Sequence, residues 1–598
     1  MRTKNTIFWL TACALSFGLS VSLAGYIGIT KSMRVMRAPA PGAIVSSAVP
    51  LPAPNHDARK PTVAVLLGNT LTEPTDVLGP YAIFAESGAY NVYTVAASRT
   101  VRTLTGGLDV VPHLSFDELA ARLHGDPDIV VIPQIADIRS SINVPVVEWV
   151  RRQGRGRAFL FSWCTGAEVL AESGVIDGKT VTAHWGDIDR LERAYPKVHW
   201  QRGVRYVDGG MLLSTAGLTA GVDAALHLLA RRHGAELAGK VAQALDIPPS
   251  PFLENPKCRQ YEFAPADGIF LLNAAFRWPK RRSGVWLYDG VGELDLGSVA
   301  DVYAVSATNQ IYTLSAARSV VSSHGIQFVP REQVQTLPAL DRLLIPGGDG
   351  RPAANRPPSS LEGIPAAVLR SEGSREFAYA AALEDLARDQ DAWTARFAAK
   401  RLEIRTPLRI EGHQWPMRLV FMPLSIGCGT LAFLFWLKRA MRKQGQSGLG
   451  LKVPPAAQGV IAAALMWFAS SAAPAFDFMF PAKSVSSVGL ALIGALTCTA
   501  GVASFRRAKT TVNPMKPDST SSLVVSGIYR YTRNPMYLGF LLILLGWAAF
   551  LSNVLALALL PAFILYMNRF QISPEERVLA SLFAHDYAEY RARVRRWL

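Results

Sequence analysis

Cysteine is scarce in this chain. Only 5 of its 598 residues are cysteine, and they are scattered, with no pair at the spacing of a metal site. The sequence therefore predicts no metal centre. Acidic residues are also in deficit, with 46 against 62 basic residues and a net charge of +16. Because the basic residues cluster beside apolar runs, they indicate membrane topology rather than a nucleic-acid partner.

One of these cysteines stands in a distinctive context. Residues 158–163 form a buried-strand pattern, Cys164-Thr165-Gly166 predicts a sharp turn, and an amphipathic helix pattern follows. This layout is a nucleophile elbow, in which the helix amides and dipole favour a thiolate, so we expect a lowered pKa for Cys164. His184 ends the next apolar strand. The alternatives are a small buried cysteine in a tight turn and a structural strand-end histidine.

Long apolar runs predict membrane spans in two parts of the chain. The first follows Arg2 and Lys4 and predicts an N-terminal membrane anchor at 1–37, with a cleaved signal peptide as the alternative. The last third predicts an all-α multi-span membrane domain at 416–598. Its final run breaks at Ser552-Asn553 and is long enough for two spans, which gives six in total. The runs are 6–29, 419–437, 456–476, 485–505 and 537–567.

The basic residues predict an orientation for these spans. If residues 30–415 lie on one side of the membrane, the basic residues beside the spans all fall on the other side. These are Arg2, Lys4 and the clusters at 438–443, 506–509 and 591–596. We therefore expect a multi-pass protein of a bacterial-type cytoplasmic membrane, with its C-terminus in the cytoplasm. Lys31, Arg34 and Arg37 conflict with this orientation.

Between the apolar regions the pattern predicts α/β structure. Residues 38–60 are an Ala- and Pro-rich linker. From 61 to 248, buried-strand runs such as 62–67, 92–96, 129–132 and 157–163 alternate with helical segments. Such alternation is typical of a parallel sheet with helices on both faces.

The α/β pattern recurs downstream. The stretch 93–97 matches 312–316, and Asp76 matches Asp295 in context, at one constant offset. We interpret residues 282–405, after a linker at 249–281, as a truncated second copy that packs on the first. It has no cysteine, and the missing part corresponds to the strand, elbow and histidine segment. Chance similarity between α/β segments is the alternative.

Residues 61–248 resemble the PfpI superfamily, the class I glutamine-amidotransferase-like fold. The resemblance rests on the motifs at 71–84, 163–185 and 214–230. It implies a flavodoxin-like sandwich, a small ligand at the Cys164 pocket, Asp76 and Glu73 near the sulfur, and His184 as the family's histidine. Pro133-Gln134-Ile135 departs from the usual Pro-Gly-Gly. No helix-turn-helix segment follows, so the regulator role of some members is not carried over.

The C-terminal region resembles the isoprenylcysteine carboxyl methyltransferase and phospholipid methyltransferase superfamily. The resemblance rests on Gly527–Arg530, Arg533–Gly539 and Pro574–Arg577. It implies S-adenosylmethionine as cofactor and a membrane lipid or another lipophilic molecule as methyl acceptor. The implied cofactor contacts are charged and aromatic groups at the ends of the fifth and sixth spans, with Asn534 where the family often has histidine. They are Tyr529, Arg530, Arg533, Asn534, Tyr537, Glu575 and Glu576.

Three functional hypotheses follow. The first is a membrane methyltransferase with an extracytoplasmic sensing module. The second is a membrane-anchored, cysteine-dependent hydrolase or hydratase whose methyltransferase-like domain is inactive. The third is a ligand sensor without catalysis. Cofactor binding separates the first from the second, and the reactivity of Cys164 separates the second from the third.

Overall fold

The computed structural model divides into two compact units, Lys31–Met422 and Met1–Thr30 with Pro423–Leu598. It describes residues 2–334, 337–347, 356–370, 374–414, 416–443, 454–472, 476, 478, 483–508 and 522–597. The first unit is α/β and contains the first half (61–248) and the second half (282–405). The second unit is helical.

A seven-stranded sheet forms the centre of the first half, in the order β10-β11-β7-β6-β1-β2-β5. All of its pairings are parallel except that of β10 with β11. The strands of this half are β1 Thr62–Leu66, β2 Asn91–Ala96, β3 Arg102–Leu104, β4 Leu108–Val111, β5 Leu114–Ser115, β6 Ile129–Ile132, β7 Phe159–Ser162, β8 Thr180–Val181, β9 His199–Trp200, β10 Tyr206–Asp208 and β11 Leu212–Thr215.

Helices cover both faces of this sheet. Strands β1 and β6 are buried along their whole length, because apolar cores lie on each side. The prediction of a parallel, helix-covered sheet is confirmed. The helices up to this point are α1 Arg2–Met36, α2 Gly42–Ser47, α3 Pro74–Glu86, α4 Phe116–Leu123, α5 Val144–Arg155, α6 Gly166–Ser173, α7 Ile188–Ala194, α8 Leu218–His233 and α9 Ala235–Ala244.

The second half contains a smaller parallel sheet, in the order β16-β13-β12-β17-β18. Helix α10, Ile269–Phe276, precedes this half. The elements that follow are β12 Arg281–Trp286, α11 Glu293–Val299, β13 Asn309–Ser315, β14 Val320–Val321, β15 Gln327–Phe328, β16 Glu332–Gln333, β17 Arg342–Ile345, β18 Ala366–Val368, α12 Ala378–Asp389 and α13 Ala392–Arg401.

The two sheets share a strand order. Read from one edge, β16-β13-β12-β17-β18 corresponds to β5-β2-β1-β6-β7 of the first half. The expectation that the second half lacks the elbow strand is therefore wrong, since β18 lies where β7 lies in the first sheet. Among the described residues the second sheet has no strands in the places of β11 and β10. Duplication as the origin of this likeness stays a prediction.

The two halves pack directly against each other. Helix α3 lies against α11, and β15 pairs antiparallel with β4 in a four-stranded sheet that both halves build. A single apolar core includes side chains of both halves, among them Leu78, Leu296 and Tyr379. The expected packing of the second half on the first is confirmed.

The second unit is helical. Among the described residues, two stretches are long and apolar enough to cross a membrane, Lys483–Arg507 and Val554–Leu582, and three apolar helices are shorter. The six spans of the sequence analysis therefore stay a prediction, and the end of the run at 456–476 lies partly outside the described residues. The helices are α14 Met417–Lys443, α15 Pro455–Ala472, α16 Lys483–Arg507, α17 Pro535–Leu551, α18 Val554–Tyr566, α19 Ser573–Leu582 and α20 Ala584–Arg593.

The final apolar run folds as the expected hairpin. Ser552 ends α17 in the left-handed region, with a φ of +49°, and the Asn553 side chain caps α18 by accepting from the Leu555 amide at 2.9 Å. Helices α16 and α17 approach closely at glycines, since a Cβ on Gly539 would lie 2.3 Å from the Cys498 sulfur. Small residues at such a contact are typical of helix pairs in membranes.

Candidate functional site

The elbow at Cys164 has the predicted geometry. Cys164 lies between β7 and α6 with a φ of +54°, a left-handed conformation that non-glycine residues rarely adopt. Gly166 opens α6 where a Cβ would lie only 2.0 Å from the carbonyl oxygen of Ile132. The Cys164 amide donates to Thr215 Oγ1 at 3.0 Å, and the side chain is 1% exposed. The turn is thus fixed from both sides, and the sulfur points into the protein.

Polar groups of the first half surround this sulfur. Gln134 Oε1 and Thr165 Oγ1 each lie 3.8 Å from Sγ. The Gln134 amide donates to Asp76 Oδ2 at 2.9 Å, while Asp76 Oδ1 has no partner among the described residues. Glu73 immediately precedes α3, on which Asp76 lies. The structure therefore places Asp76 and Glu73 in one buried group with Cys164.

The second half supplies a cation to the same group. Arg401, the last residue of α13, contacts Glu73 Oε1 at 2.9 Å and lies 3.9 Å from Asp301 of the second half. The Thr75 side chain also donates to Asp301. Arg401 and Asp301 were missed by sequence reasoning. The site is therefore built from both halves of the α/β unit.

The electrostatic environment opposes ionisation of Cys164. Burial, followed by the charges of Asp76 and Glu73, raises the pKa of the thiol well above its usual value. The expected lowered pKa is wrong, because burial and nearby acids outweigh the amides of α6. Burial and Glu73 likewise raise the pKa of Asp76. The pocket thus opposes ionisation of both the Cys164 thiol and the Asp76 carboxyl.

The His184 side chain forms hydrogen bonds with backbone groups. Its Nδ1 accepts from the Gly186 amide at 3.2 Å, which makes Nε2 the donor to the Arg401 carbonyl oxygen at 3.0 Å. Burial lowers the pKa of His184, in agreement with this neutral tautomer. No hydrogen bond joins His184 to Cys164 in the part of the chain that the structure describes. This arrangement favours a structural histidine at the junction of the halves.

The second half carries an ion pair at the place of the elbow. Arg370 follows β18 and contacts Asp295 at 2.9 Å and Asp246 at 2.8 Å. Asp295 is the third residue of α11, as Asp76 is the third residue of α3. An arginine–aspartate pair therefore stands where the first half holds its cysteine and acid.

In the helical unit, Arg533 and Glu576 come together as predicted. Arg533 Nη2 lies 3.2 Å from Glu576 Oε1, and the two side chains are 10% and 13% exposed. Arg596, which sequence reasoning missed, also donates to Glu576 through Nε at 3.1 Å. Nε and Nη1 of Arg533 are buried without a partner among the described residues. An anionic ligand would satisfy these donors.

A second polar group lies at the ends of α17 and α19. The Tyr537 hydroxyl donates to Glu575 Oε1 at 2.5 Å, and Gln571 donates to both groups. Gln571 was missed because it lies between the apolar run that ends at residue 567 and the motif at 574–577. The motifs at 533–539 and 574–577 thus meet in space through two contacts, Arg533–Glu576 and Tyr537–Glu575.

The remaining predicted residues have other surroundings. Arg530 is exposed. Tyr529 is buried against Phe505, and its carbonyl oxygen accepts from the Tyr590 hydroxyl at 2.8 Å. The Asn534 side chain donates to the carbonyl oxygen of Arg596 at 2.9 Å. Tyr529 and Asn534 therefore hold the C-terminal tail beside the polar groups.

Together, these features define a chain with a cysteine-elbow α/β unit and a helical unit that has two candidate membrane helices and a polar cluster at helix ends. Residues 61–231 match the DJ-1/PfpI family and residues 482–586 match the phospholipid methyltransferase family. The chain therefore joins a DJ-1/PfpI domain to a domain of the phospholipid methyltransferase family. The glutamine-amidotransferase-like assignment and the internal repeat stay predictions.

Curated relatives match parts of this chain. An HTH-type transcriptional regulator, CdhR of Pseudomonas aeruginosa, is 35% identical over 17% of this chain and 30% of its own length. The isonitrile hydratase of Pseudomonas putida is 28% identical over 29% of this chain and 74% of its own. The protein-S-isoprenylcysteine O-methyltransferase of Schizosaccharomyces pombe is 28% identical over 20% of this chain and 50% of its own.

The chain thus spans less than a third of CdhR and half of the yeast methyltransferase. Among solved structures, a ThiJ/PfpI family protein from Pseudomonas syringae is 22% identical. The match covers 34% of this chain and 84% of that chain, with a TM-score of 0.29.

Proposed function

We propose that the helical unit is an S-adenosylmethionine-dependent methyltransferase acting on a lipophilic acceptor. The observation that carries this proposal is the buried Arg533 guanidinium beside Glu576, because two of its nitrogens have no hydrogen-bond partner among the described residues. A buried donor without a partner is costly, and a ligand carboxylate would supply acceptors in the geometry that arginine prefers. The yeast relative, a protein-S-isoprenylcysteine O-methyltransferase, supports the reaction class.

The residues present fit this cofactor. Arg533 would hold its carboxylate, and Glu575 with Tyr537 would offer an acceptor for its amino group or ribose hydroxyls. When bound, the cofactor supplies a methyl group on a sulfonium that an acceptor nucleophile can attack. Arg596 shares Glu576 with Arg533 and so keeps that carboxylate oriented. The apolar helices α16 and α17 give a lipophilic acceptor a route to the site through the membrane.

Calorimetry on the purified full chain in detergent tests the cofactor site. We expect Arg533→Gln to weaken S-adenosylmethionine binding by about tenfold to a hundredfold, because hydrogen bonds to charged groups contribute about 1.5–3 kcal/mol. Arg530→Gln is the matched control, since Arg530 is exposed, and it should bind within about twofold of wild type. Wild-type protein that binds no cofactor at millimolar concentration would contradict the proposal.

We further propose that the α/β unit is an extracytoplasmic ligand-binding module. The clusters of basic residues beside the apolar runs support this placement. Reporter fusions after Ser250 and at the C-terminus should report opposite sides of the membrane. If both report the cytoplasm, the orientation is wrong and the module is cytoplasmic.

A cysteine-dependent hydratase or hydrolase is the second candidate for the α/β unit. The contact of Asp76 with the Gln134 amide, beside Cys164, favours it, because this acid could exchange a proton with a bound substrate. Cys164→Ser should retain the fold and abolish such an activity. An unchanged rate in this variant would exclude cysteine-dependent catalysis and leave ligand binding as the role of the α/β unit.

A further inference from the structure

A cavity of about 290 Å³ lies in the α/β unit, apart from the Cys164 pocket. One wall of the cavity is apolar and consists of Val222 of the first half, Phe252 of the segment 249–281 that joins the halves, and Phe377 and Ile404 of the second half. None of Glu73, Asp76, Cys164 and His184 lines it. The cavity is thus a separate space formed where the two halves meet, a common place for ligand sites.

Two of the charged residues that line the cavity neutralise each other. Arg205 and Asp223 are 3% and 5% exposed, and the Arg205 guanidinium donates to the Asp223 carboxylate. Arg205 also donates to the Glu403 carbonyl oxygen at 3.0 Å and contacts the Thr219 hydroxyl at 3.4 Å. These bonds hold the Arg205–Asp223 ion pair in the wall of the cavity. Neither of its charges therefore needs a ligand as a partner.

The third charged residue, Arg405, forms no such salt bridge among the described residues. The Arg405 guanidinium stacks on the Tyr261 ring at 3.9 Å and donates to the Arg259 carbonyl oxygen at 2.7 Å. Its Nη2 also lies 3.8 Å from the Cys258 sulfur, and its buried Nε has no hydrogen-bond partner among the described residues. Glu403 is the acid whose charge acts on Arg405, but burial raises the pKa of Glu403 to about 7 and Arg205 lies beside the same carboxyl. The cavity therefore combines an apolar wall with one cation that no described acid pairs with in a salt bridge.

We infer that this cavity binds a small carboxylate with an apolar body. The carboxylate would pair with Arg405, and the body would pack against Phe252 and Phe377. The volume lies just below the usual range of about 300–1,000 Å³ for sites of drug-sized ligands, so a small acid such as benzoate or hexanoate fits best. This inference does not depend on methyltransferase activity.

Equilibrium dialysis of the full chain in detergent against labelled benzoate and hexanoate tests the inference. We expect saturable binding of at least one of them, and at least about tenfold weaker binding of the neutral analogues benzamide and hexanamide. This comparison uses wild-type protein and does not depend on the folding of any variant. Equal binding of acid and amide, or no saturable binding at millimolar concentration, would overturn the inference.

Two variants locate the site. Arg405→Gln should weaken binding of the acid by at least about tenfold, whereas Arg405→Lys keeps the charge and should retain most of the affinity. Arg259→Gln is a control, because Arg259 meets Arg405 only through its carbonyl oxygen. If Arg405→Gln binds the acid as well as wild type, the carboxylate does not lie at Arg405 and the inference fails.

Discussion

At the scale of single residues, Cys164 shows burial prevailing over a helix N-terminus. The amides of α6 favour a thiolate by an amount that falls off within one helical turn. Removal of the thiol from water, with Asp76 and Glu73 close by, acts in the opposite direction and raises its pKa. The sequence displays the turn and the helix, but it does not display the depth at which they lie.

Alkylation rates test this conclusion. In the full chain at pH 7, iodoacetamide should modify the half-buried Cys258 before Cys164, because Cys164 is almost inaccessible and protonated. Mass spectrometry of the peptides gives the two rates, and labelling after unfolding should remove the difference. A faster reaction at Cys164 would show that the helix stabilises a thiolate there.

The Cys164 site also shows where sequence reasoning stops. The elbow, Asp76 and Glu73 follow from local patterns and a family resemblance, and the structure brings them together. Arg401 could not be predicted, because it reaches Glu73 across 328 positions of the chain through the packing of two halves. Arg533 and Glu576 were predictable as a pair, since both lie in motifs at the ends of a helical hairpin.

At the scale of elements, the close contact of α16 with α17 depends on glycines, which have no side chain to keep the helices apart. A Cβ on Gly494 would lie 2.6 Å from the carbonyl oxygen of Gly539, and a Cβ on Gly539 would meet the Cys498 sulfur. The apolar runs of both helices were evident from the sequence, whereas the face on which they meet was not. Periodicity gives little guidance when a helix is apolar on every side.

Alanine substitutions of two glycines test this contact. Gly539→Ala should lower the stability of the helical unit by about 1–3 kcal/mol, because overpacking forces the helices apart. Gly489→Ala is the matched control on α16, since no atom lies within 4 Å of its Cβ position. Thermal unfolding in detergent and cofactor binding provide the readout. Equal midpoints for the two variants would contradict the close contact.

At the scale of the whole α/β unit, a histidine links the halves. His324 contacts Glu86 of the first half at 2.9 Å and Glu293 of the second at 2.8 Å. Burial alone would lower the pKa of His324, but its hydrogen bonds to Glu293 and Glu86 outweigh burial and raise the pKa to about 9. The charged imidazole therefore stabilises the junction at neutral pH.

The stability of the unit should depend on pH through this residue. Because the pKa of His324 is higher in the folded state than in the unfolded state, its protonation stabilises the folded protein. This stabilisation is fully present below about pH 6.5 and is lost as the pH rises through about 9. Wild-type protein should therefore lose more thermal stability than His324→Gln between pH 6.5 and 9.5. Parallel pH profiles for the two proteins would show that the imidazole is not charged in the folded state.

Arg401 and Cys164 belong to one polypeptide, which changes how their pocket responds to dilution. A pocket completed by a separate subunit loses its second part at low concentration, whereas here the effective concentration of Arg401 at Glu73 is set by the chain itself. The fraction of molecules in which Arg401 contacts Glu73 is therefore independent of protein concentration. A membrane protein present at a few copies per cell would keep this pocket intact.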